Sequence, residues 1–225
     1  MTVQMTVHMD ELTVPSTSSL ASESMSTTNR RVLHVGCGPR NPMKLNRVFR
    51  EPGWQEVRLD IDPNVEPDIV ASITDMSVVP SDSVDAVWSS HNIEHLFAHE
   101  VPTALAEFHR VLAPGGLLLI TLPDLEAVAR VILEQGADKV LMTSTDGRVP
   151  ITPIDMIYGW GFMIQHGRTY MAHRTGFTMK TLGNAILAAG FPQVQAARGK
   201  TWDLWCLARK GGPVDNPNLL PLALS

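Results

Sequence analysis

The chain has 225 residues, 44% of them hydrophobic, and a formal net charge of −5. That suits one α/β domain with a full core. The acidic balance argues against nucleic acid as the main partner, because phosphate recognition needs a basic face. No apolar run approaches the roughly 18 residues that cross a membrane, and no basic-then-apolar leader stands at the start. With only Cys37 and Cys206, a reduced, cytoplasmic chain is expected.

Residues 1–29 are rich in Ser, Thr and Met and carry no Lys or Arg. They read as a mobile N-terminal extension, in which Thr2 to Val7 alternates like an edge strand. The domain proper is expected over 30–210. Val32–Val35 is a first strand. Leu45, Val48 and Phe49 then fall at helical spacing before Pro52-Gly53. Strands are expected at Val57–Asp60, Asp68–Ser72 and Val84–Ser89. Pro102 opens a helix with Leu105, Phe108 and Leu112 on one face. Leu117–Leu122 is a nearly pure apolar run, suited to a strand covered on both faces. Asp124 caps a helix ending near Gly136. Residues 137–176 break the rhythm with many Met, aromatic and Gly residues, as an insertion over a pocket would. Thr178 caps a helix through Ala189. Two closely spaced strands, Val194–Ala197 and Trp202–Ala208, can pair only antiparallel. The tail, 211–225, holds Pro213, Pro217 and Pro221 and reads as irregular. The predicted architecture is a Rossmann-like three-layer α/β/α sandwich. Its sheet is mostly parallel and seven-stranded, with an antiparallel edge strand.

Gly36-Cys37-Gly38 follows the first strand and Asp60 ends the second. A glycine turn admits a ligand against the backbone, and an acid at that strand tip suits ribose hydroxyls. A dinucleotide fingerprint would place a third glycine at position 41, where Asn41 stands. A tight turn with no ligand is the plain alternative.

Val32–Gly38, Leu59–Pro63, Asp82–His95 and Arg110–Gly116, in that order, resemble the class I S-adenosylmethionine-dependent methyltransferases, most closely the small-molecule branch called type 11. The likeness covers about 30–125, and 177–209 more loosely. It implies that Gly36, Cys37 and Gly38 pass under the methionine part of S-adenosylmethionine. Asp60 would hold the ribose and Ile61 the adenine face. Ser72, Ile73 and Thr74 would lie at the adenine edge. Ser89, Ser90 and His91 would stand where cofactor and acceptor meet. His34 stands where the family usually has an acid near the cofactor ammonium, and Ser72 replaces a frequent acid.

Methyl transfer to O or N needs alignment in a dry pocket and sometimes a base, but no metal in principle. His91, His166 and His173 are the base candidates. Tyr158, Trp160, Met163 and Arg174 are candidates for the wall around a small-molecule acceptor, although an inserted helix pair would use the apolar ones as core. His91 and His95, four apart, also match a zinc pair. The resemblance instead gives Glu94-His95 a loop-supporting role, so no metal is expected. A homodimer through the insertion is a further reading. The rival to catalysis is a fold retained as a binding or assembly partner. A nucleotide-sugar or NAD-dependent enzyme on a similar α/β sheet is a second rival.

Overall fold

The computed structural model describes residues 5–7, 29–144, 147–214, 216 and 218–224. The expectation of a mobile extension over 1–29 lies almost entirely outside these residues. The strands are β1 (Met5–Val7), β2 (Arg30–Val35), β3 (Trp54–Asp60), β4 (Ile69–Val70), β5 (Val84–Ser90), β6 (Leu112–Pro123), β7 (Met142–Thr143), β8 (Pro150–Ile151), β9 (Val194–Arg198) and β10 (Asp203–Arg209). The helices are α1 (Val101–Val111), α2 (Leu125–Gln135), α3 (Pro153–Tyr158), α4 (Gly161–Gln165), α5 (Met179–Ala188) and α6 (Leu219–Leu224).

One sheet runs β1-β9-β10-β6-β5-β2-β3-β4, and β10 is antiparallel to both of its neighbours. The seven strands from β9 to β4 are the expected mostly parallel sheet. Its antiparallel member lies one place in from the end, and β1 adds an eighth strand, parallel to β9. The chain leaves β2 toward β3 on one side, and β5 pairs with β2 on the other. Their carboxyl ends therefore form a topological switch point, where open α/β sheets hold their ligands.

Strand alternation divides the core into two layers. Leu33, Val35, Val87 and Ile120 pack with Leu105 and Phe108 of α1 and with Leu182 and Ile186 of α5. Val32, Trp88, Leu119 and Leu207 pack against Leu45, Val48, Phe49 and α6. Caps fall where the sequence places them. Asp124 accepts the Glu126 N–H at 3.0 Å, and Thr178 forms a capping box with Thr181.

Two expectations are corrected. The stretch after β2 is not an α-helix but two 3-10 turns, Pro42–Lys44 and Arg47–Phe49. Asn41 and Asn46 each accept the N–H two residues on, and Pro42 lacks a donor. Each Asn side chain starts a new turn instead of letting one helix run through. The tail is not wholly irregular either. Leu220 and Ala223 of α6 are buried in the second layer, and Asn46 Nδ2 donates to the Ala223 carbonyl at 3.1 Å. Pro221 is tolerated because it sits in the first turn, whose N–H groups have no helical partner.

Residues 137–176 fold as the β7/β8 hairpin, α3, α4 and a 3-10 turn at Thr169–Met171. Among the described residues no helix is long and apolar enough to cross a membrane.

Candidate active site

The site grows from the turn after β2. Gly36 and Gly38 take φ of +64° and +59°, a region that disfavours side chains. Space reinforces the choice. A Cβ on Gly36 would lie 2.6 Å from Asn92 Cγ, and one on Gly38 would lie 2.5 Å from Lys44 Nζ. Asp60 fixes this turn to the tip of β3. Its Oδ2 accepts the Gly38 N–H at 2.8 Å and its Oδ1 the Asp62 N–H at 2.9 Å. Each oxygen keeps a free lone pair for a hydroxyl. Arg58 ties the turn from below. Its buried guanidinium donates to the carbonyls of Gly38, Val65 and Glu66.

Ile61, beside Asp60, is 61% exposed, an apolar side chain without a cover. Ser72 and Thr74 bond each other through their hydroxyls at 2.7 Å. The Ile73 side chain packs in the core, so that residue offers only its backbone outward. Cys37 is buried and free, and burial pushes its thiol up to about 11. It remains a thiol and no nucleophile. Cys206 is likewise free, its thiol pushed up to about 12 by burial.

His34 lies within β2, and its ring turns to the neighbouring strand. Nδ1 is 2.6 Å from Glu56 Oε1. Burial lowers its pKa below the ordinary value, and the Glu56 carboxylate offsets only part of that. The sequence presents His34 as a missing acid. The structure shows an acid from β3 beside it.

At the carboxyl ends of β5 and β6, three buried polar atoms have no partner among the described residues: Ser89 Oγ, Asn92 Nδ2 and Thr121 Oγ1. Such orphans are costly unless a ligand or water meets them. Over these strand ends opens a cavity of about 360 Å³, bordered by Lys44, Trp88, Ser90, His91, Thr121 and Asp203 among others. Trp88 and Trp205 stack at 5.7 Å as its apolar wall. Asp203 accepts from Thr201 and from the Trp205 indole.

His91 stands at the mouth. Its backbone is left-handed at φ +48°, and its N–H donates to the Thr121 carbonyl at 2.8 Å. Desolvation lowers its pKa, but the Glu94 carboxylate, 3.5 Å from Nδ1, raises it by more, and the net shift is upward. Strained backbone of this kind clusters at functional sites.

The remaining sequence candidates lie elsewhere. His166 is exposed at the end of α4, with Nδ1 donating to the Phe162 carbonyl at 2.6 Å. His173 packs edge-on to His95, 4.9 Å between centroids. Arg174 lies over the Phe97 ring at 4.8 Å. Tyr158 is exposed, and Trp160 lies against Phe162 with the rings tilted by 35°. None of these, nor Met163, borders the large cavity. Its wall comes from the 3-10 turns after β2 and from the start of β10. Two signals point that way in the sequence. Thr121 interrupts an apolar run, and Asp203 opens a strand that is otherwise apolar.

The insertion also reaches the loop after β3. Tyr170 donates its hydroxyl to Asp62 Oδ2 at 2.9 Å.

Residues 33–120 match the family described as a methyltransferase domain. The sheet order, the switch-point turn and that match agree. Over residues 33–120 the chain is similar to a methyltransferase domain. The fold is shared with a solved S-adenosylmethionine-dependent methyltransferase from Archaeoglobus fulgidus at 15% identity and a TM-score of 0.53. That match covers 82% of this chain and 87% of the other. A counterpart from Mesorhizobium loti is 15% identical with a TM-score of 0.52, covering 82% and 93%. A third match, 14% identical with a TM-score of 0.53 over 82% and 84%, comes from a complex between the Haloferax volcanii Trm112 methyltransferase activator and a methyltransferase. At such identities the likeness is one of fold. Within the matched span, Gly36, Gly38 and Asp60 stand at the first turn and at the second core strand's tip.

Proposed function

We propose that the protein uses S-adenosylmethionine to methylate an O or N atom of a small-molecule acceptor. The observation that carries this reading is the Asp60 carboxylate, held against the Gly38 N–H at the β2/β5 switch point with lone pairs to spare. The residues present suit the cofactor. Asp60 takes the ribose hydroxyls, and exposed Ile61 meets the adenine. Lys44 Nζ, beside Gly38, suits the carboxylate of the methionine part. Asn92 Nδ2 and Ser89 Oγ gain polar partners.

When bound, S-adenosylmethionine supplies an electrophilic methyl on a sulfonium. The chain's own work is alignment and exclusion of water. Trp88 and Trp205 hold a flat acceptor face in the cavity, and Thr121 and Asp203 offer polar contacts to orient it. His91 accepts the proton that an acceptor hydroxyl or amine gives up. His166, Tyr158, Trp160, Met163 and Arg174 take no part in that step.

A second reading, a fold that binds without turnover, is favoured by Asn92 lying against Gly36 and by His34 in place of an acid. Calorimetric titration with S-adenosylhomocysteine separates the outcomes. Micromolar binding supports the proposal, and no heat at millimolar ligand sinks it. Binding without turnover on a broad acceptor panel selects the second reading.

A further inference from the structure

Beneath the catalytic loop lies a group of side chains that methyl transfer does not use. Glu94 is 1% exposed, and neither of its carboxylate oxygens has a hydrogen-bond partner among the described residues. The nearest cationic candidate, His91 Nδ1, stands 3.5 Å from Oε1. A buried carboxylate that accepts no hydrogen bond of good geometry and has only one imidazole at ion-pair distance is a costly arrangement for a core. It calls for a cation.

The neighbours are ligands by type and by preparation. One donor atom each from Glu94, His95 and His173 lies within 4.8 Å of the others. His95 Nδ1 is 3.2 Å from the Ala172 carbonyl, and His173 Nδ1 is 3.0 Å from the Met156 carbonyl. A carbonyl only accepts, so each Nδ1 carries the proton and each Nε2 keeps its lone pair. An imidazole tied by its far nitrogen to a backbone carbonyl is the arrangement that orients metal-binding histidines. A cavity of about 10 Å³ borders both Glu94 and His173, room for one small particle.

The backbone holds this set in place. The Arg174 and Thr175 N–H groups both donate to the Glu94 carbonyl, at 2.9 and 3.2 Å. The His173 N–H donates to the Tyr158 carbonyl at 3.0 Å. His173 therefore reaches Glu94 by construction, although 79 positions separate them in the sequence.

We propose that Glu94, His95 and His173 bind one divalent transition-metal ion, with zinc as the first choice. Two imidazole nitrogens and one carboxylate oxygen, with a further position open, are a common donor set for that ion. Zinc places its ligand atoms about 3.5 Å apart, so the set contracts by about 1 Å on loading. The ion offsets the Glu94 charge and staples residues 137–176 to the loop that carries His91. The site stands on these residues alone and does not depend on the methyl-transfer reading.

The test uses the full chain, freed of any affinity tag, stripped with a chelator and desalted. Zinc is titrated against a chromophoric competitor, and bound metal is counted by mass spectrometry. One equivalent binds, with a submicromolar dissociation constant. Glu94→Gln and His173→Gln each weaken it at least about 100-fold, whereas His109→Gln and His166→Gln leave it unchanged. Circular dichroism reports folding. If Glu94→Gln unfolds, His173→Gln in the insertion decides between the outcomes. Substoichiometric zinc, or binding indifferent to Glu94 and His173, overturns the proposal. Neither cofactor nor acceptor is present, so failure here leaves the methyltransferase reading untouched.

Discussion

Tyr170 and Asp62 are 108 positions apart in the sequence, yet the Tyr170 hydroxyl donates to Asp62 Oδ2 at 2.9 Å. The contact carries the insertion across to the loop beside Asp60. Three residues further on, His173 lies beside Glu94. Residues 170–173 thus bridge the loop after β3 and the loop after β5.

Removing that bridge by Tyr170→Phe deletes one exposed hydrogen bond. Global stability should change by no more than about 0.5 kcal/mol. Affinity for S-adenosylhomocysteine should fall about 3- to 10-fold, because the loop beside Asp60 loses its brace. Calorimetry and urea unfolding on one preparation separate the two effects. Unchanged affinity would show that the insertion does not steady the cofactor loop.

Restoring the family's usual acid by His34→Asp should not tighten cofactor binding. The new carboxylate would stand buried beside Glu56, now 2.6 Å from the imidazole, and two like charges there repel. The variant should lose about 2–4 kcal/mol of stability. His34→Asp with Glu56→Gln should recover much of it. Tighter binding by the single variant would mean that the ammonium of the cofactor lies closer to β2 than this arrangement allows.

The same residue gives a pH dependence. Burial sets the His34 pKa in the folded protein below its ordinary 6.5, so the unfolded chain binds the extra proton first as pH falls. Its contribution is intact above pH 6.5 and shrinks as the pH drops from 6.5 toward the folded-state value. Denaturation midpoints at about pH 7.5 and about pH 5.5, either side of that value, measure this. The drop should be smaller in His34→Gln, and an equal drop in both proteins would assign the effect to other groups.

Gly159 has no room for a side chain. A Cβ there would sit 2.1 Å from the Met171 carbonyl oxygen, and φ is already +94°. Backbone cannot yield as a flexible side chain does, so Gly159→Ala should cost about 2–4 kcal/mol. The loss should be local. Amide exchange should quicken over 153–173 while β2, β5 and β6 stay protected. Uniform loosening of the sheet would contradict this reading.

Much of the central sheet is readable in the sequence because its signals are local. Val32–Val35 running into two glycines, Asp60 closing a strand, Pro102 opening α1 and Thr178 capping α5 each act within a few residues. The helix expected after β2 fails for a reason equally local but weaker. Asn46 accepts the Val48 N–H and divides the segment, and apolar spacing alone does not register this. The aromatic content of 137–176 points to an acceptor wall there. The cavity opens instead where 3-10 turns replace a helix over Trp88 and Trp205.

By itself the sequence determined the order of the core strands, the helices α1, α2 and α5, the glycine turn and the acid at the strand tip. These depend on side-chain period, backbone freedom and caps, all short in range. Only the tertiary structure decided which distant groups meet: Glu56 beside His34, Tyr170 on Asp62, and His173 with Glu94. Such meetings follow from sheet order and from the path of the insertion, whose contacts span scores of residues and leave no periodic trace in the chain.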